Sequence, residues 1–209
     1  MNKTQAIRNI NERVDGIYND LKAFLYIRKN KLQHTDENIG GGNMTQAIAL
    51  FSVLNFFGKI QYYLDKREEL RLNEVGEPII IEEQAFIHLV RKLDAVGIKL
   101  GLPVNESAIL KLVWNGFRNK LAHVSNVEIG KQVMVYIIED HDNTLTISSI
   151  LAKIEDKEAF ESDGYNRNWR VNADILLSKL PSIKKSIIDQ LHNDKNTPIN
   201  YNILEKVIG

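Results

Sequence analysis

Ala47-Ile48-Ala49-Leu50-Phe51-Ser52-Val53-Leu54-Asn55-Phe56-Phe57-Gly58-Lys59-Ile60 forms the middle of a segment, about 44 to 64, that is apolar on most sides. A helix of that kind is covered by neighbours all round, at the centre of a bundle or at a subunit interface. It is too short and too closely flanked by charge for a membrane span, which needs roughly 18 apolar residues or more. Asn43, which follows Gly40, Gly41 and Gly42, can cap its N-terminus. The rest of the chain should therefore supply the helices that cover this one.

Upstream, Ile7, Ile10, Val14, Ile17, Leu21 and Phe24 recur at steps of three and four and mark one stripe of a long helix. Gly16 weakens it slightly. Downstream, a charged stretch ends at Pro78 and residues 79–81 read as locally extended. A third helix is expected over about 82 to 100, with Phe86, Leu89, Val90, Leu93 and Val96 as its stripe and Gly101-Leu102-Pro103 as its stop. Asn105 or Ser107 can start a fourth, about 106 to 122.

After His123 the period changes. Val133, Val135 and Ile137 alternate with their neighbours, Glu139 to Asn143 read as a turn, and Leu145, Ile147 and Ser149 alternate again, which predicts a β-hairpin over about 132 to 150. Residues 153–168 read as a charged loop. Asn172 can cap a last helix through Ile175, Leu176, Leu180, Ile183, Ile187 and Leu191, with a kink or restart at Pro181. The tail from Asn193 is polar with a short apolar end. The expected architecture is a single mainly α domain over 1–209, a bundle of four to five helices with a small β-hairpin insertion at about 127–150.

Lys+Arg and Asp+Glu are both 27, so no overall positive field draws the chain to nucleic acid. There is no cysteine, which excludes disulfides, thiol nucleophiles and cysteine metal sites. The start, Met1-Asn2-Lys3-Thr4-Gln5, leads into charged amphipathic sequence and not an apolar signal core. A soluble cytoplasmic protein with no membrane contact is expected.

The most chemical stretch is Arg118-Asn119-Lys120-Leu121-Ala122-His123. Arginine clamps phosphate through a planar fork of donors, and histidine moves a proton near neutral pH. On the fourth helix, Ile109, Leu112, Val113, Gly116, Phe117 and Leu121 should form the buried face and Lys111, Asn115, Arg118 and Asn119 the wet one. At about 100° per residue, Asn119 and His123 lie about 40° apart, whereas Arg118 and His123 differ by about 140°. One chain therefore splays the pair, and two copies meeting across a two-fold axis would bring them into one cleft. The plain alternative is that Arg118 and His123 suit the negative end of the helix dipole and cap its carbonyls.

This motif resembles the signature of the HEPN superfamily: an arginine, a polar residue, a few more residues, then a histidine. Arg118, Asn119 and His123 match those positions, and HEPN domains are helical bundles with the motif on a late helix. The resemblance implies a HEPN-like fold and a homodimer with the two motifs facing each other. Many members are metal-independent endoribonucleases of toxin–antitoxin or phage-defence systems. The implied catalytic residues are Arg118, Asn119 and His123, with RNA or a nucleotide as ligand, an antitoxin or defence-system partner, and no cofactor. Other members have lost catalysis and serve as RNA-binding, nucleotide-binding or assembly modules. The hairpin at about 132 to 150 departs from the minimal four-helix pattern.

Lys111, Asn115, Trp114 and Lys120 are the neighbouring candidates for substrate contact, Trp114 either as a base-stacking ring or as a partly buried flank of the helix. Gly40 to Gly42 lack the lysine and hydroxyl of a phosphate-binding loop and read as a helix connection. His34, His88, His141 and His192 show no metal-ligand spacing. Tyr165, Arg167, Trp169 and Arg170 mix aromatic and basic groups that suit either a single strand or a packed-back loop. Lys184 and Lys185 read as a solvated face.

Overall fold

The structure, a computed structural model, describes residues 1–32, 42–116, 134–136, 158–162, 169–193 and 198–209. It is a mainly α bundle. In chain order the elements are α1 (Lys3–Leu32), α2 (Gly42–Lys66), α3 (Glu82–Ala95), α4 (Ser107–Trp114), β1 (Met134–Tyr136), β2 (Phe160–Ser162), β3 (Trp169–Asn172), α5 (Ala173–Asn193) and α6 (Tyr201–Ile208).

The all-round apolar segment is the central helix. α2 touches α1, α3, α5, α6 and β1, and its residues Leu50, Phe51, Leu54, Phe57 and Ile60 are fully buried. Phe51 packs on Phe86 of α3 at 6.2 Å and edge-on to Phe160 of β2 at 5.9 Å, so one ring joins helix, helix and sheet. The α1 stripe is buried at Ile10, Val14 and Leu21.

α3 ends earlier than expected. Gly97 sits at φ +84°, and its N–H bonds the Asp94 carbonyl while the Ile98 N–H reaches back to Leu93. This is a Schellman termination, and the first glycine able to adopt the left-handed turn ends the helix before Gly101 is reached. α4 starts at Ser107, its N-cap position is Glu106, which makes no side-chain cap, and the Ser107 hydroxyl accepts from Arg91 Nη2 at 2.7 Å.

The sheet differs from a local hairpin. β1 falls inside the expected first limb, but it pairs in parallel with β3, which pairs antiparallel with β2 on its other side. The expected second limb, 145–149, lies outside the described residues. Within the stretch read as a loop, Phe160 is a buried apolar anchor, and its N–H bonds the Leu100 carbonyl at 2.8 Å. Asn172 caps α5 as expected: its Oδ1 accepts from the N–H groups of Asp174 and Ile175. α5 runs as one helix through Pro181 and does not restart there. The apolar end of the tail is a further helix, α6, capped by Asn200, with Leu204, Val207 and Ile208 packed inward. No described helix is long and apolar enough to cross a membrane.

Candidate functional site

α4 carries the approach to the Arg118–His123 motif. Its buried face is Leu110, Val113 and Trp114, turned from the expected one, and Leu112 is 39% exposed. The reason is the indole. Trp114 is buried against Phe86, with ring centroids 5.1 Å apart, and this large apolar contact sets the rotation of so short a helix. Trp114 is thus a core residue in the described structure, and its ring is not presented for base stacking.

The wet face is as expected for Lys111 and Asn115, both exposed. Both turn to one carboxylate on α3: Lys111 Nζ lies 3.2 Å from Glu83 Oε1, and Asn115 Nδ2 donates to Glu83 Oε2 at 3.2 Å. The cation and the amide are both engaged by an internal anion. At Asn115 and Gly116 the backbone widens from α- to π-helical hydrogen bonding. π turns recur where a helix serves a site. Arg118, Asn119, Lys120 and His123 lie outside the described residues, as do Gly40, Gly41, His34, His141, Tyr165 and Arg167. Trp169 and Arg170 belong to β3.

The most connected polar cluster among the described residues is elsewhere. Asp65, near the end of α2, accepts from His88 Nε2 at 2.8 Å, Gln61 Nε2 at 2.8 Å and Gln190 Nε2 at 2.6 Å, and Lys92 Nζ is 3.3 Å away. Gln61 also donates to Gln190 Oε1 at 2.7 Å, and Tyr62 stands edge-on to the His88 ring. The cluster joins α2, α3 and α5. Burial alone would raise the Asp65 carboxyl. The hydrogen bonds from His88, Gln61 and Gln190, with the charge of Lys92, outweigh it and hold the group well below the usual carboxylate range. The sequence showed no metal-ligand spacing at His88 and no partner for it, because Asp65 stands 23 positions away and the third element 125 from Asp65. The local signals were that Gln61 and Asp65 are one turn apart on α2, and His88 and Lys92 one turn apart on α3.

Lys184, read as solvated, is half-buried and pairs with Asp15 at 2.5 Å, which ties α1 to α5. Among the described residues no group of three histidine or acidic side chains is placed to hold a metal ion. Comparison of the chain with protein-family models, with curated proteins and with solved structures returns no match.

Proposed function

We propose that this protein is a HEPN-type endoribonuclease that works as a dimer and without a metal, in a toxin–antitoxin or phage-defence role. The observation that carries the reading is the sequence Arg118-Asn119-Lys120-Leu121-Ala122-His123, placed directly after a late helix of a mainly α bundle. In this reaction the RNA 2′-oxygen attacks the adjacent phosphorus and the bond to the 5′-oxygen breaks, leaving a 2′,3′-cyclic phosphate. The 2′-OH proton is withdrawn and the departing 5′-oxygen gains one. His123 assists that proton transfer, Arg118 offsets the charge that builds on the phosphate, and Asn119 orients the imidazole or the substrate. Lys120 adds a cation toward the backbone.

The test is cleavage of a mixed RNA pool by purified protein in EDTA, beside Arg118→Ala and His123→Ala. Cyclic-phosphate ends from the wild type, with at least a hundredfold loss in both variants, is the expected result. Equal cleavage by all three, or none by the wild type, removes the catalytic reading.

One observation favours a second reading, a non-catalytic RNA- or nucleotide-binding or assembly module. Lys111 and Asn115 are occupied by Glu83, and the chain has no net charge, so the face leading to the motif is weakly attractive to a polyanion. That reading predicts dimerisation and ligand binding with no turnover.

A further inference from the structure

A cavity of about 440 Å³ lies between α1, α2, the segment before α3, and α6, on residues outside the motif. Its walls include Arg13, Asn55, Phe56, Lys59, Glu77 and Lys206. Lys59 is neutralised by Glu82 at 2.7 Å. Lys206 is not: its ammonium meets only the backbone carbonyls of Val75 and Gly76, at 2.8 and 3.0 Å, among the described residues. Arg13 directs Nη1 to the carbonyls of Ile208 and Gly209, and its guanidinium lies 4.6 Å over the Phe56 ring, which fixes its plane. Two cations from two different helices are thus held in place by backbone and ring.

Between these walls stands Asn55, only 7% exposed, with Oδ1 buried and without a hydrogen-bond partner. Native folds keep few buried amide oxygens without a partner. Glu77 adds a carboxylate whose described side-chain partner is the neutral amide of Asn73, at 3.1 Å. The cavity therefore offers positive charge on two sides, and a neutral amide and an anion on the others. Its volume is within the range of small-molecule sites.

We infer that this cavity binds a small organic oxyanion, a phosphate or carboxylate group on a stem bearing hydroxyl or amino donors. Arg13 and Lys206 hold the oxyanion, and Glu77 and the Asn55 amide meet the donors. The site is independent of the motif and of any ribonuclease activity.

The test is a titration of the ¹⁵N-labelled protein, followed by the side-chain amide of Asn55 and the backbone amides of Phe56 and Lys206. Inorganic phosphate and glutarate are the two probes, at ionic strength held constant with sodium chloride. The expected result is a saturable shift of these signals with at least one probe. The probe that acts tells a phosphate ligand from a carboxylate one. Lys206→Gln, at an exposed position, should weaken binding about fivefold, as expected for one partly screened ion pair, while Lys185→Gln, at an exposed position on α5, which does not line the cavity, leaves it unchanged. Absence of saturation with both probes overturns the inference. So does binding that Lys206→Gln leaves intact, or that Lys185→Gln weakens equally.

Discussion

Asp65 shows how much one residue can organise when its partners come from three helices. A carboxylate this withdrawn from water is stable as an anion only because His88, Gln61, Gln190 and Lys92 converge on it. Its folded-state pKa is depressed, whereas in the unfolded chain it returns to about 3.9. The folded state thus binds this proton less readily than the unfolded one. Its stabilising contribution is complete above the unfolded value and is lost as pH falls through that value toward the folded one. Asp65→Asn keeps the shape and removes the charge. It should cost about 1–3 kcal/mol at pH 7 and flatten the acid limb of stability below about pH 5. Urea denaturation at pH 7, 5, 4 and 3 measures both effects, and parallel acid limbs for wild type and variant would show that the cluster carries no such linkage. The same network explains why the sequence alone did not reveal it. Gln61 and Asp65 share α2 and His88 and Lys92 share α3, but only the packing of α2 against α3 and α5 brings the two pairs and Gln190 together.

Among the elements, the joins differ in kind, and two glycines with the same backbone angle separate them. Gly97 and Gly101 both sit at φ +84°. Around Gly97 there is open space, so Gly97→Ala meets only the left-handed backbone penalty, about 1–2 kcal/mol. A Cβ at Gly101 would stand 2.2 Å from the Phe160 carbonyl oxygen and 2.7 Å from Glu158 Cβ, so β2 must move. Gly101→Ala should therefore cost at least about 2 kcal/mol more than Gly97→Ala, through the backbone bond from Phe160 to Leu100 and the seat of the Phe160 ring on Phe51. Thermal unfolding of the two variants side by side measures the difference, and equal losses would mean that β2 is not held against this turn. Apolar stripes in the sequence revealed α1, α3, α4 and α5, and the run that is apolar on most sides revealed α2. Periodicity did not reveal β2, where three residues are too few to show alternation. It did not reveal α6, whose Asn200 cap and the apolar set Leu204, Val207 and Ile208 span only two turns. Nor did it fix the rotation of α4, where stepping from Ile109 ignored the size of Trp114. The parallel pairing of β1 with β3 spans more than thirty residues and has no local signature.

At the scale of the whole molecule, the proposed activity depends on stoichiometry more than on any contact within one chain. In the proposed dimer one phosphate site takes its arginine and its histidine from different copies, as the separation of about 140° that a regular helix would give Arg118 and His123 calls for. α2 packs against α1, α3, α5, α6 and β1 of its own chain, and on α4, the element that precedes the motif in sequence, Leu112 is exposed. A shared site has a consequence that a site within one chain lacks. In a dimer of one Arg118→Ala chain and one His123→Ala chain, one cleft receives both substitutions and the other receives none. Equal mixing of the two inactive proteins through unfolding and refolding makes about half of the dimers mixed, each with one intact cleft of two, so about a quarter of wild-type cleavage should return. Each variant refolded alone stays inactive, and refolded wild type sets the scale. Recovery that tracks the mixed fraction as the ratio is varied supports two-fold sharing of the motif. A mixture no more active than its parts places arginine and histidine in the same chain, and the proposal of a shared cleft then fails even if the wild type cleaves RNA.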